Sequence, residues 1–199
     1  MKQKDLEILL SQLSKFTNPK IHLEQYQTPP RLVAMIAWRA LQLGDIENKV
    51  VADFCSGTGL FAIASKILGA KKVYAFELDP EAMEIAKNNA KMADTDIKFI
   101  LKDVRDIDMT FNTVLMNSPF GIKGSVKDQE FLRHALVKAD TSYSIHLFQE
   151  KNITFLKKFV EKHEKKVTEI IKAEFEIPKI FRFHKKKFHI IEVAVLRSL

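Results

Sequence analysis

The sequence predicts an α/β fold in which a mostly parallel sheet is covered by helices on both faces. Three observations favour this class: short apolar runs alternate with helix-length segments, a glycine-containing turn follows the first run, and no internal repeat interrupts the pattern. The length of 199 residues suits one domain and excludes a tandem enzyme. We expect a helical extension over residues 1–44 and a core over residues 45–199.

The N-terminal part contains two predicted helices joined by a polar connection. Periodic apolar residues predict the first helix over residues 2–16 and the second over residues 31–44. Thr28 is interpreted as the N-cap of the second helix. Pro29 and Pro30 then occupy its first turn, where a missing amide donor does no harm.

Seven strands and four intervening helices are predicted in the core. The strands cover residues 50–54, 72–78, 97–103, 112–117, 142–148, 167–177 and 187–196. The helices cover residues 61–69, 80–92, 128–139 and 153–166. Because no helix separates the last two strands, we expect them to pair antiparallel at one edge of the sheet.

Composition narrows the class of protein and its partners. The chain is 46% hydrophobic and 29% charged, which is typical of a globular protein and excludes a disordered or disulfide-scaffold chain. Its net charge of +7 attracts anions, so nucleic acid is the leading macromolecular partner, ahead of an anionic membrane surface. A basic surface that only confers solubility is the simpler alternative.

Cysteine and apolar patterning predict a cytoplasmic protein. The single cysteine, Cys55, cannot form an intrachain disulfide or a cysteine-based zinc cluster, which favours a reducing compartment. The longest plain apolar stretch, residues 32–38, is far shorter than the roughly 20 residues of a membrane span. The histidines are scattered over separate elements, so we expect no metal site.

The turn after the first strand predicts a ligand site. In an open parallel sheet, ligands bind beyond the carboxyl ends of strands, and here Asp53 is followed by Cys55, Gly57 and Gly59. This spacing differs from the dinucleotide fingerprint, because Cys55 replaces its first glycine. A phosphate-binding loop is also excluded, since no Gly-Lys-Ser or Gly-Lys-Thr is present.

Acidic residues end three successive strands. Glu77 follows the glycines by about twenty residues, where an acid commonly binds ribose hydroxyls. Asp103, with Val104 beside it, is a candidate clamp for an adenine ring and its amino group. Alone, each acid is more often a helix cap or a turn residue. Together they favour a ligand with positive charge and ribose hydroxyls over a phosphate-bearing one.

This acid and glycine spacing resembles the first motif of class I S-adenosylmethionine-dependent methyltransferases, a Rossmann-like fold. Asn117, Ser118, Pro119 and Phe120 end the fourth strand and resemble the Asn-Pro-Pro-Phe turn of enzymes that methylate exocyclic amino nitrogens. The Asn117 side-chain oxygen and the Ser118 carbonyl are the candidate acceptors for the amino hydrogens. Phe120 is the candidate stacking ring for the base. Ser118 stands where the family pattern has a first proline.

Two further segments resemble the methyltransferase-like family that makes N6-methyladenosine in small-subunit ribosomal RNA. The stretch 23–29 is similar to its Glu-Gln-Tyr-Pro-Thr segment, which implies that Gln25 and Thr28 contact the methionine end of the cofactor and that Tyr26 helps to close the pocket. Gln27 replaces the family's proline. The cofactor residues implied are Gln25, Tyr26, Thr28, Asp53, Cys55, Gly57, Gly59, Glu77, Leu78, Asp103, Val104 and Asn117.

The second segment is basic and aromatic, and it lies between the last two strands. Positive charges suited to phosphates alternate there with rings suited to bases. The resemblance implies that this hairpin faces RNA. The implied RNA-binding residues are Phe181, Arg182, Phe183, His184, Lys185, Lys186 and Lys187.

Other acceptors and a partner stay open at this stage. A similar turn also serves methylation of DNA adenine and of protein glutamine, and a non-catalytic RNA-binding protein of the same fold is a further alternative. Relatives work with a small zinc-binding activator protein that pairs along a sheet edge, so an apolar edge strand is a possible docking site for one.

Overall fold

The computed structural model describes residues 1–119, 126–178 and 188–199. Its sheet has seven strands in the spatial order β3-β2-β1-β4-β5-β7-β6. The strands are β1 (Val50–Phe54), β2 (Lys72–Glu77), β3 (Lys98–Leu101), β4 (Phe111–Met116), β5 (Ala139–Leu147), β6 (Val167–Pro178) and β7 (Phe188–Ser198). The predicted strands are all present.

The first five strands are parallel, and the last two are not. β1 pairs with β2 on one side and β4 on the other, while β3 and β5 flank them in parallel register. β7 lies between β5 and β6 and is antiparallel to both. The short connection between β6 and β7 leaves no room for a crossover helix, so the chain reverses direction. The predicted fold class and its antiparallel edge are confirmed.

Among the described residues, six helices cover both faces of this sheet. They are α1 (Gln3–Ser11), α2 (Pro30–Gln42), α3 (Leu60–Ile67), α4 (Pro80–Met92), α5 (Val126–Lys138) and α6 (Glu150–Lys162). One apolar core joins the first four helices to one face, and a second joins α5 and α6 to the other. Side chains alternate accordingly: Val51 of β1 belongs to the first core and Ala52 to the second. No helix among the described residues is long and apolar enough to cross a membrane.

The N-terminal extension differs from its prediction in two places. α1 ends at Ser11 rather than at residue 16, and residues 12–29 cross the carboxyl ends of the strands as irregular chain with one short 3₁₀ turn. The interpretation of Thr28 as an N-cap is wrong. α2 begins at Pro30, and its N-cap position is occupied by Pro29, which has no side-chain acceptor; the Thr28 hydroxyl accepts a hydrogen bond from Asn117 instead.

A buried ion pair joins the end of the chain to the region before β1. The Asp45 carboxylate accepts hydrogen bonds from Arg197 Nε at 2.8 Å and from the Tyr143 hydroxyl at 2.5 Å. Arg197 extends this contact by donating from Nη1 to the Thr168 hydroxyl at 2.8 Å. β5, β6 and β7 are therefore tied to the turn that leads into β1, remote from the carboxyl ends of the parallel strands.

Candidate functional site

A cavity of about 500 Å³ lies at the carboxyl ends of β1, β2 and β4. The N-terminal segment 16–28 forms one wall, and the glycine turn after β1 forms another. All of the predicted cofactor residues line it except Gly59, which precedes α3 instead. Ser118 and Pro119 also line it, whereas Phe120 and residues 181–187 lie outside the described residues.

The glycine turn places backbone where side chains would not fit. Gly57 has φ +52°, and a Cβ there would come within 3.0 Å of the Phe16 ring. Gly59 has φ +84°, and its Cβ would lie 3.1 Å from Ala86 Cβ. Both positions favour glycine, because a side chain there would be strained in conformation and would press on its neighbour. Cys55 adopts the same left-handed region with φ +56°, where a side chain costs conformational energy.

Two of the predicted acids hold the glycine turn in place. Asp53 is almost fully buried, and its Oδ2 accepts from the Ala62 amide at 2.9 Å in the first turn of α3. Glu77 Oε2 accepts from the Gly57 amide at 2.7 Å, and Oε1 accepts from the amides that follow it. Burial raises the pKa of both carboxyls. Glu77 Oε1 already accepts from two amides, whereas Glu77 Oε2 keeps a lone pair for a further donor such as a ribose hydroxyl.

The third acid, Asp103, is engaged in an ion pair that the sequence did not indicate. Its oxygens accept from Arg105 Nη2 at 2.7 Å and from Arg105 Nε at 3.0 Å, and this pairing lowers the pKa of the carboxyl. Arg105 also donates to Glu130 of α5 at 3.0 Å. The predicted adenine clamp therefore shares its carboxylate with a guanidinium, while Val104 is buried at the cavity wall.

A polar cluster fastens the N-terminal segment across the cavity. The Gln25 amide donates from Nε2 to Asp79 Oδ2 at 2.7 Å, and its Oε1 accepts from the Lys20 amide at 2.7 Å. Lys20 Nζ completes the cluster with an ion pair to Asp79 Oδ1 at 2.6 Å. Gln25, predicted to contact the methionine end of the cofactor, uses both ends of its amide to hold this segment in place.

Asn89 makes a second attachment that sequence analysis missed. Its side chain lies on the buried face of α4, where it accepts from the Ser14 amide at 2.8 Å. It also donates to the carbonyls of Ser14 and Thr58, each at 3.0 Å. One amide thus joins the N-terminal segment to the glycine turn. The available sequence signal was a polar residue on the apolar face of a predicted helix.

At the end of β4, the Asn117 side chain has one satisfied and one unsatisfied end. Nδ2 donates to Thr28 Oγ1 at 2.9 Å. Oδ1 is buried and has no hydrogen-bond partner among the described residues. Ser118 follows it as a nearly fully buried residue. The predicted acceptor oxygen of Asn117 therefore has hydrogen-bonding capacity that no described residue uses.

The cavity as a whole fits S-adenosylmethionine. Gln27 Oε1 and Ser56 Oγ are buried atoms of lining residues, and neither has a partner in the described part of the chain. Buried polar atoms without partners are costly, and a ligand with several polar groups would satisfy them. Carboxylates and apolar rings of the same wall suit a sulfonium, ribose hydroxyls and an adenine ring.

Comparison with known proteins decides the family. A family profile described as the TRM5/TYW2 methyltransferase domain matches residues 39–176. The chain belongs to this family. This TRM5/TYW2-family protein is 40% identical to an uncharacterized protein of Methanocaldococcus jannaschii, over 99% of this chain and 94% of that one. It is 33% identical to the rRNA N(6)-adenosine-methyltransferase METTL5 of Danio rerio, over 99% of this chain and 98% of that one.

A solved structure is also similar to this chain over its full length. The crystal structure of a provisionally assigned RNA methyltransferase from Pyrococcus horikoshii superposes with a TM-score of 0.93 at 39% identity, covering 100% of this chain and 97% of that one. The chain is a class I methyltransferase, and the predicted S-adenosylmethionine cofactor is confirmed. No group of three or more His, Cys, Asp or Glu residues that could hold a metal ion occurs among the described residues.

Proposed function

We propose that this TRM5/TYW2-family methyltransferase transfers a methyl group to the N6 amino nitrogen of an adenosine in structured RNA, specifically in small-subunit ribosomal RNA. The observation that carries the proposal is the buried, unpartnered Oδ1 of Asn117 beside the cofactor cavity. An acceptor in this position suits a target that donates hydrogen bonds, as an exocyclic amino group does.

The turn after β4 suits the electronic demand of this reaction. The lone pair of an adenine amino group is delocalised into the ring and attacks poorly. Asn117 Oδ1 and the main-chain carbonyl of Ser118 would accept its two hydrogens and favour pyramidal geometry, which exposes the lone pair. Pro119 removes a competing amide donor next to them. Phe120 completes the proposal as a ring that stacks on the base.

Alignment is the remaining requirement. When bound, S-adenosylmethionine supplies an electrophilic methyl group on a sulfonium. The chain's own contribution is to hold the amino nitrogen in line with that methyl, which needs no general base. The target base must be unstacked or single-stranded to reach Asn117 at the end of β4.

Two relatives and the charge distribution support RNA as the substrate. The METTL5 proteins of Danio rerio and Drosophila melanogaster are named rRNA N(6)-adenosine-methyltransferases and match at 33% and 34% identity over 99% of this chain. From residue 179 to 189 the sequence carries five Lys or Arg and no acid. In the proposal this segment binds RNA phosphates and bases through the residues Phe181, Arg182, Phe183, His184, Lys185, Lys186 and Lys187.

The proposal includes a partner, a domain assignment and a location. We take residues 1–199 as one methyltransferase domain, whose first 44 residues close the cofactor site. A small zinc-binding activator would pair with a sheet edge, and β3 is an edge strand that exposes Leu101. The cytoplasm is the proposed compartment, in keeping with the single cysteine.

Labelled methyl transfer to three acceptors in parallel tests the proposal. Purified ribosomal RNA, DNA and total protein are incubated with the enzyme and S-adenosylmethionine, with and without a zinc-binding activator, and the products are digested for nucleoside and amino-acid analysis. We expect N6-methyladenosine in RNA and no label in the other two. Label only in DNA or only on protein glutamine would contradict the proposal.

A further inference from the structure

The hydrogen bond between Thr28 and Asn117 bears on the orientation of the Asn117 amide. The two ends of an asparagine amide are opposite in chemistry, because Oδ1 accepts and Nδ2 donates. In the structure Nδ2 is bound to Thr28 Oγ1 at 2.9 Å, and this contact leaves Oδ1 as the free end. A rotation of the amide by 180° would present a donor to the target and repel an amino group.

A threonine hydroxyl on its own does not forbid that rotation. It can accept from Nδ2 or donate to Oδ1, so both orientations of the amide satisfy it. The orientation becomes unique only when the hydroxyl hydrogen is committed to another acceptor. Among the described residues, no acceptor takes the hydrogen of the Thr28 hydroxyl. Thr28 is 92% buried and lines the cofactor cavity.

We propose that Thr28 is a positioning residue that couples the methyl donor to the orientation of Asn117. A ligand oxygen in the cavity, carboxylate or hydroxyl, takes the hydrogen of the Thr28 hydroxyl. Oγ1 is then only an acceptor, so it binds Nδ2 and holds Oδ1 toward the target amino group. The inference rests on the proposed function, because it concerns the orientation of the same acceptor atom.

This coupling predicts an order in the recognition of the target. Without a methyl donor, Asn117 presents either end of its amide, and an amino group gives little advantage in binding. With the donor bound, the amino group gains one hydrogen bond to Oδ1 that an unsubstituted purine cannot make. By reciprocity, a target with an amino group must also tighten the binding of the donor.

Binding measurements with S-adenosylhomocysteine test this without turnover. The probes are an RNA fragment that the wild-type enzyme methylates at one adenosine, and the same fragment with purine riboside at that position. We expect S-adenosylhomocysteine to raise the preference for adenosine over purine riboside by about tenfold in the wild-type enzyme, since one buried hydrogen bond is at stake. An equal preference with and without the ligand would overturn the inference, and this arm needs no variant.

Three substitutions complete the test. Thr28→Val keeps the shape of the side chain and removes its hydroxyl, so we expect the preference to disappear and kcat at saturating S-adenosylmethionine to fall about tenfold. Thr28→Ser retains the hydroxyl and should restore both. Thr154→Val makes the same chemical change on the exposed face of α6 and should alter neither.

The outcomes separate this inference from the proposed function. If Thr28→Val raises only the KM for S-adenosylmethionine and leaves kcat and the preference unchanged, Thr28 is a cofactor ligand alone and the inference is wrong. If the wild-type enzyme methylates no adenosine in RNA, the proposed function itself is wrong. Methylation of RNA by the wild-type enzyme therefore tests the proposed function, whereas the binding preference and the variants test the inference.

Discussion

The attachment of the N-terminal segment through Gln25 can be broken by one substitution. Gln25→Ala removes a neutral hydrogen bond to the Lys20 amide and a hydrogen bond to the Asp79 carboxylate. Such bonds contribute about 0.5–1.5 and 1.5–3 kcal/mol respectively, so closure of the segment should lose about 2–4 kcal/mol. Exchange of its amide hydrogens through local opening should therefore become about 30- to 1,000-fold faster.

Hydrogen exchange read by mass spectrometry checks this in the ligand-free protein. Peptides that cover residues 12–29 should lose protection in Gln25→Ala, while peptides from β1 and β4 should keep theirs. Gln42→Ala truncates the same side chain at an exposed position of α2 and should resemble the wild type. If the two variants protect the segment equally, Gln25 does not fasten it and the reasoning fails.

Three further predictions concern stability. Asp45→Ala leaves Arg197 without its buried partner and should lower the free energy of unfolding in urea by about 3–5 kcal/mol. Removal of the exposed Glu84 carboxylate should lower it by less than about 1 kcal/mol. Equal losses in the two variants would contradict the burial of the Asp45–Arg197 pair. Cys55→Gly should be tolerated because φ is +56°, while Cys55→Val should be about 1–2 kcal/mol less stable than the glycine variant in the same assay. Burial alone would raise the pKa of Asp79, but Lys20 and Gln25 lower it below 3.8. The contribution of ionised Asp79 to the free energy of unfolding should therefore be present above pH 3.8 and be lost as the pH falls further. Unfolding of the wild type and of Asp79→Asn, measured at several pH values, should show a difference in stability that disappears in acid.

The sheet could be predicted because its signals are local. Each strand is a short apolar run, and the glycine turn and Asn117 follow strand ends directly in the sequence. The rule that parallel strands present their carboxyl ends to one ligand site then brings Asp53, Glu77 and Asn117 together without further information. The structure places these three residues in one cavity wall.

The contacts that fasten the site join residues far apart in the chain. Asn89 and Ser14 are separated by 75 positions, and Asn117 and Thr28 by 89. Hydrophobic periodicity carries no signal for such polar pairs. Thr28 is an example: a threonine before a proline is typical of an N-cap, and no local pattern indicates that its hydroxyl pairs with a distant amide.

The pairing of Asp103 with Arg105 was missed for a different reason. The two residues are only two positions apart, but the hydrophobic pattern does not indicate whether an acid and a base at that spacing form an ion pair. Here a short 3₁₀ turn over Val104–Asp106 brings them together. In an extended strand the two side chains would share a face with their Cα atoms about 7 Å apart, whereas the turn lets the Asp103 carboxylate also accept the Arg105 backbone amide.

The most direct test of the central claim is methyl transfer by the wild-type enzyme and by Asn117→Ala, followed by nucleoside analysis of ribosomal RNA. The account predicts N6-methyladenosine with the wild type. It predicts a loss of at least about a hundredfold in turnover with the variant, on the scale of removing one preorganised transition-state hydrogen bond. Binding of S-adenosylhomocysteine should change little in the same variant. Normal turnover by Asn117→Ala would show that the amino group is held elsewhere and would contradict the account.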